Sequence, residues 1–222
     1  MTGILKPILS ILPEPQLKLW EELSETPNDF ILYGGTAIAL RLGHRTSIDF
    51  DFFSPLPFDP EQLYRKISYL KNSRIVQQTK NTLTCSIDRD GEILVFFFGD
   101  LSIGQVKCPS ISEKNHLHIA SLEDLSGTKA AVIQKRVELK DYLDIDALLT
   151  FGNLKLDFIL ACGEAVYKKA FNPLITLKAL CYFNDQELQP LSPAIREKLK
   201  NAVENVDLEN LPKLESFPLG TE

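Results

Sequence analysis

Two hydrophobic periods divide this chain. The helical period appears first in EPQLKLWEELSE (14–25), where Leu17, Leu19, Trp20 and Leu23 recur at helix-like spacing. DFILYGG (29–35) is a short apolar run stopped by two glycines and predicts a buried strand. Thr36 to Leu42 predicts a short helix with Gly43 as its stop. In SIDFDFF (47–53) the period drops to two, which puts Ile48, Phe50 and Phe52 on one face of a strand. Pro55 and Pro57 end it. A helix is expected over 60–71 after Asp59-Pro60. RIVQQTK, TLTCSIDRD and EILVFFFGD read as three strands, the last two joined by the hairpin signal Asp90-Gly91. Further strand is expected near 101–107 and 116–119. From Ser121 the helical period returns, and SLEDLSGTKAAVIQKRVELKDYLDIDALLTF reads as helical, opened by Ser121 and Asp124. Helices follow over about 154–171, 173–183 and 193–204, and LENLPKLESFPLGTE reads as a loosely held tail.

Strands first and helices last predict an α+β fold. A mixed β-sheet with flanking helices is expected over 1–120. A C-terminal helical segment over 121–222 is expected to pack on it and complete a cleft. At 222 residues and 44% hydrophobic content the chain can bury a sizeable core. The formal net charge of −6 excludes a chain that binds nucleic acid by bulk charge, so any polyanion needs a local basic patch. Arg41, Arg45, Lys129, Arg136 and Lys140 are the candidates for one. Cys85, Cys108, Cys162 and Cys181 lack Cys-x-x-Cys spacing, so buried reduced thiols are expected rather than a zinc site or disulfides. MTGILKPILSILPEP carries Pro7 and Pro13 and no long apolar run. It reads as neither signal peptide nor membrane span, and a cytoplasmic protein is expected.

The chemistry concentrates in GGTAIALRLGHRTSIDFDFF (34–53). Residues two apart on a strand share a face, so Asp49 and Asp51 project together while the phenylalanines face the core. Two adjacent carboxylates repel, and a divalent cation removes that cost. Mg²⁺ suits such a pair because it takes one or two carboxylates and completes its shell from phosphate and water. Gly34 and Gly35 at a strand-to-helix junction let a ligand approach the backbone. The helix N-terminus beyond them favours phosphate, and Thr36 offers a hydroxyl. The plainer alternative is a glycine turn beside a solvated strand face. His44, the pair His116 and His118, and Cys85 offer no comparable constellation.

These residues resemble the signature of the AbiEii/AbiGii toxin family of nucleotidyltransferases, within the DNA polymerase β-like superfold. The first motif falls on Gly34, Gly35, Thr36, Arg45, Ser47, Asp49 and Asp51. A second block resembles the family's later motif, at Leu122, Asp124, Leu125, Lys129, Arg136, Lys140, Asp141 and Asp144. The resemblance spans roughly 29–150. It implies a Mg²⁺-dependent transferase that moves NMP from an NTP onto a hydroxyl, at a tRNA 3′ end or on a protein. It also implies a bacterial toxin–antitoxin or phage-defence setting with an antitoxin encoded nearby. Asp49 and Asp51 would bind Mg²⁺. Gly34, Gly35, Thr36, Arg45, Ser47, Lys129, Arg136 and Lys140 would hold nucleotide. Lys129 would meet the triphosphate, and Asp141 or Asp144 would complete the acidic cluster or orient Lys129. On one continuous helix Lys129, Arg136 and Lys140 would share a face.

The superfold adds a third carboxylate from a neighbouring strand. EILVFFFGD carries none at its centre, Val95 to Phe97, and has Glu92 and Asp100 only at its ends. A non-catalytic nucleotide-binding or protein-interaction module on the same fold is therefore the alternative.

Overall fold

The computed structural model describes residues 3–221. In chain order the elements are β1 (Ile4–Leu5), α1 (Glu14–Glu22), β2 (Ile31–Tyr33), α2 (Gly34–Leu42), β3 (Phe50–Phe53), α3 (Pro60–Lys66), β4 (Arg74–Thr79), β5 (Thr82–Asp88), β6 (Glu92–Phe98), β7 (Gly104–Gln105), β8 (Ser110–Ser112) and β9 (His118–Ile119). They continue as α4 (Leu122–Val132), α5 (Leu139–Thr150), α6 (Leu156–Tyr167), α7 (Pro173–Cys181) and α8 (Pro193–Glu204). The chain forms two compact units.

The first unit holds the chain up to Ile103, Cys108–Ser121 and the end from Pro218. Its eight-stranded mixed sheet has the order β1-β8-β9-β2-β3-β6-β5-β4. β3 runs antiparallel to β2 and parallel to β6, and β4-β5-β6 form an antiparallel meander. Period-two burial sets its two faces. Phe50, Phe52, Val95, Phe97, Cys85 and Ile87 are buried on one side. There Phe52 stacks on Phe97 with centroids 5.2 Å apart, and Trp20 of α1 meets Phe50 at 6.4 Å. Trp20, Phe50, Phe52 and Phe97 are at most 2% exposed, and their buried area dominates this core. Asp51, Phe53, Leu94, Phe96 and Phe98 lie half-buried on the opposite face.

Strand β3 begins at Phe50, not Ser47. Ile48 is 52% exposed, and its carbonyl accepts from Gln16. The alternation thus extends only from Phe50 onward, and Asp49 sits in the approach to the strand. The chain end is not a loose tail throughout. Leu219 is 3% exposed, and its N–H donates to the Ile103 carbonyl at 3.1 Å. The short strands β1 and β8 are too brief to leave a periodic signature.

The second unit holds 104–107 and 122–217 and is helical. Asp124, 1% exposed, explains why the short segment belongs there. Its carboxylate accepts the N–H groups of Val106 at 2.6 Å and Lys107 at 3.3 Å. Gly127 lets α4 approach α6, because a Cβ there would meet the Cys162 carbonyl carbon at 2.7 Å. The helical stretch expected from 121 to 151 is two helices, broken between Val132 and Leu139. Val137 and Glu138 leave the helical path, and Glu138 is extended at φ −133°. Lys129, Arg136 and Lys140 therefore do not share one helix face.

Candidate active site

Antiparallel pairing sets Tyr33 opposite Asp51, so the glycine turn that follows β2 opens beside the acid. Gly34 has φ +73°, in the left-handed region that side chains disfavour. A Cβ on Gly34 would lie 3.0 Å from Asp51 Cγ and closer still to Oδ2. The Asp51 carboxylate therefore occupies the space that glycine leaves. Helix α2 starts at this point, and its first-turn N–H groups have no helical acceptors. Gly43 closes the helix at φ +67°, its N–H donating to Ala39 at 2.8 Å. Gly34→Ala is expected to cost about 1–2 kcal/mol from the left-handed backbone alone. It also pushes Asp51 aside, so any activity that depends on this carboxylate should fall far more than the melting temperature. Equal losses of the two would count against the close approach.

Thr36 is 2% exposed. Its hydroxyl hydrogen-bonds the Asp49 carbonyl and lies 2.8 Å from the Ser47 hydroxyl. Thr36 and Ser47 thus tie the first turn of α2 to the loop that presents Asp49. That is a positioning task. Arg45 bonds the Thr46 carbonyl through Nη1 at 2.9 Å. Arg41 reaches the carbonyls of Ala120 and Ile119 at 2.8 and 3.0 Å, so its charge fastens α2 to β9.

On β6 the residue in register with Asp51 is Phe96. Neither end acid substitutes for a carboxylate there. Glu92 pairs with Arg74 and Ser86 at 2.9 and 2.6 Å, and Asp100 accepts from Asn81 at 3.2 Å. Among the described residues no group of three or more His, Cys, Asp or Glu side chains is arranged to hold a metal ion.

The second unit gathers the later motif into one charged group. Lys129 Nζ lies 2.7 Å from both Asp141 Oδ1 and Asp144 Oδ2, with side chains 6%, 0% and 0% exposed. Arg136 adds contacts to Asp141 at 2.9 and 3.2 Å and to Glu138 at 3.1 Å, and Lys140 pairs with Glu138 at 3.1 Å. Both Asp141 and Asp144 therefore orient Lys129. Burial pushes the Asp141 carboxyl up, but Lys129 and Arg136 outweigh it and hold the group below the usual carboxylate range. All three cations are ion-paired, but only Lys129 is buried, whereas Arg136 and Lys140 are 45% and 46% exposed.

A family model described as nucleotidyl transferase AbiEii toxin, Type IV TA system, matches residues 18–217. The chain belongs to the AbiEii nucleotidyltransferase toxin family. The uncharacterized protein aq_aa25 of Aquifex aeolicus (strain VF5) is 31% identical over 194 residues, covering 82% of this chain and 90% of that one. Two solved structures share the fold. One is MenT4, a nucleotidyltransferase toxin of Mycobacterium tuberculosis H37Rv, at TM-score 0.56 and 14% identity over 88% of this chain and 86% of that one. The other is JHP933 of Helicobacter pylori, at TM-score 0.52 and 16% identity over 86% and 88%. The AbiEii match takes in both motif blocks and the strands between them. No helix among the described residues is long and apolar enough to cross a membrane. What reasoning from the sequence missed in this AbiEii member is Phe96 as the neighbour of Asp51. Strand register alone reveals it, and the only sequence signal is the missing acid.

Proposed function

We propose that this protein transfers NMP from an NTP to a hydroxyl acceptor, a tRNA 3′ end or a protein, with Mg²⁺, as the toxin of a pair whose antitoxin is encoded nearby. The observation that carries the reading is the Asp51 carboxylate seated against Gly34 at the start of α2, with Asp49 tied in by Thr36. This arrangement suits Mg²⁺, an ion that takes one or two carboxylates and fills its remaining positions from phosphate and water. Asp49 and Asp51 would hold the ion. When bound, it would polarise the phosphate under attack and offset developing charge. The backbone at Gly34 and Gly35 and the α2 N-terminus would cradle phosphate oxygens. Ser47 and Thr36 would keep Asp49 in place, and Arg45 would add positive charge to the phosphates. In the second unit Lys129 would act with Asp141 and Asp144 as one group, its ammonium held in a fixed orientation, with Arg136 and Lys140 contributing charge for nucleotide.

One observation favours the non-catalytic alternative, namely Phe96 where a third carboxylate would stand. Incubation with each radiolabelled NTP, Mg²⁺ and total cell RNA or lysate separates the readings. Label is expected to enter a macromolecule, to vanish on chelation with EDTA and to return with added Mg²⁺. A Mg²⁺- and NTP-dependent thermal shift without any labelled product would support the binding module instead.

A further inference from the structure

The face of the sheet that carries Asp51 is aromatic on both sides of it, but Tyr33 on the β2 side is buried and stacked on Phe53 at 4.7 Å, which leaves the β6 side as the open one. Phe96 stands in register with Asp51 across β3 and β6, and Phe98 with Phe53. The Phe96 and Phe98 rings are parallel within 7° at 6.3 Å, and Phe98 meets Phe53 edge-on at 5.8 Å. All three phenylalanines are half-buried, whereas Val95 and Phe97 on the other face are fully buried. Core packing accounts for Phe97. It does not account for two parallel rings left partly open to solvent beside an acid.

Strand order assigns this aromatic patch to one side of the reaction. The order is β2-β3-β6, so the glycine turn and the α2 N-terminus flank Asp51 on one side and Phe96 on the other. Displacement at phosphorus is in line, with the attacking and leaving oxygens on opposite sides. If the leaving pyrophosphate lies toward Gly34 and α2, the acceptor hydroxyl approaches from the β6 side. An acceptor entering there meets a ring face rather than a carboxylate. Ring faces bind unpaired bases by stacking, without base preference, and they offer nothing comparable to a serine or threonine hydroxyl.

We propose that Phe96, with Phe98 parallel to it, stacks the terminal unpaired nucleobase of a single-stranded RNA acceptor and so selects RNA over protein. This rests on the transferase reading above. No bond is made at the ring, because its task is to place the terminal ribose hydroxyl beside Asp51.

Two measurements on the full-length protein test this. The first compares labelling of short single-stranded RNAs that end in a normal nucleotide with matched RNAs whose last residue is abasic but keeps its hydroxyls. Stacking of about 1–3 kcal/mol per base predicts a preference of roughly 5- to 150-fold for the base-bearing end. Phe96→Leu, close in volume and apolar, should erase that preference by raising KM for the base-bearing RNA. KM for NTP should not change, and Phe96→Tyr should restore the preference. The second needs no turnover. A 2-aminopurine at the RNA 3′ end should be quenched on binding wild type and Asp51→Asn, but not Phe96→Leu. Quenching that survives in Phe96→Leu, a raised KM for NTP in that variant, or label that goes to protein would overturn the proposal. If labelling never occurs but the quenching pattern holds, the transferase reading fails and the stacking site stands.

Discussion

Asp49→Ala/Asp51→Ala is expected to lose NMP transfer by on the order of a thousandfold or more while remaining folded. The acids share one short segment beside the glycine turn, and each is only half-buried. They are the only carboxylates that the segment 47–53 supplies. Without them nothing in that segment can hold a divalent ion or direct it to a phosphate. Metal stabilisation of transition-state charge is worth several kcal/mol, and each 1.36 kcal/mol is tenfold in rate. Radiolabelled NTP transfer is the rate measurement, with circular dichroism and melting run in parallel. The core beneath the pair is aromatic and apolar, so melting should stay within a few degrees of wild type. Near-wild-type labelling by the double variant would remove the basis for reading this segment as the metal site.

Lys129→Met is expected to destabilise the protein by about 3–5 kcal/mol, because it leaves Asp141 and Asp144 buried with one cation fewer. For a chain of this size that lowers the melting temperature by roughly 10 °C. The acid dependence should change as well. Asp141 is held below its ordinary range, so its contribution is fully present above the unfolded carboxyl pKa of about 3.9 and is lost as pH falls through the lower folded value. Lys129 is one source of that depression. The variant should therefore lose less additional stability than wild type as pH falls from about 5 to 2. Urea titrations at several pH values measure both effects. A variant as stable as wild type at pH 7 would show that the buried group is not the structural anchor its geometry implies.

The sequence was most informative where local rules dominate. Gly34, Gly35 and Gly43 announced a turn and a helix stop because their backbone freedom is a property of single residues. The three strands β4, β5 and β6 and the β5-β6 hairpin at Asp90-Gly91 followed from short-range signals, whereas the pairing of β4 with β5 did not. The family followed from the two motif blocks, whereas the strand spacing that was to put Asp49 and Asp51 on one face does not apply, because Asp49 precedes the strand. Other features required the folded chain. The break between α4 and α5 lies in a stretch whose composition is helical throughout. There the pairing of Arg136 with both Glu138 and the buried Asp141 outweighs propensity. That the Thr36 hydroxyl meets Ser47 and the Asp49 carbonyl becomes visible only once the loop folds back. The burial of Lys129 between two aspartates depends on α4 meeting α5.

By itself the sequence determined that two acids, two glycines and a later cluster of lysine, arginine and aspartates exist in family order. Only the tertiary structure decided that Phe96 stands beside Asp51, that Asp51 fills the space left by Gly34, and that both late aspartates hold Lys129. Chain spacing fixes neighbours within a strand or a helical turn, whereas neighbours between elements are set by register and packing, which are properties of the assembled sheet and helices.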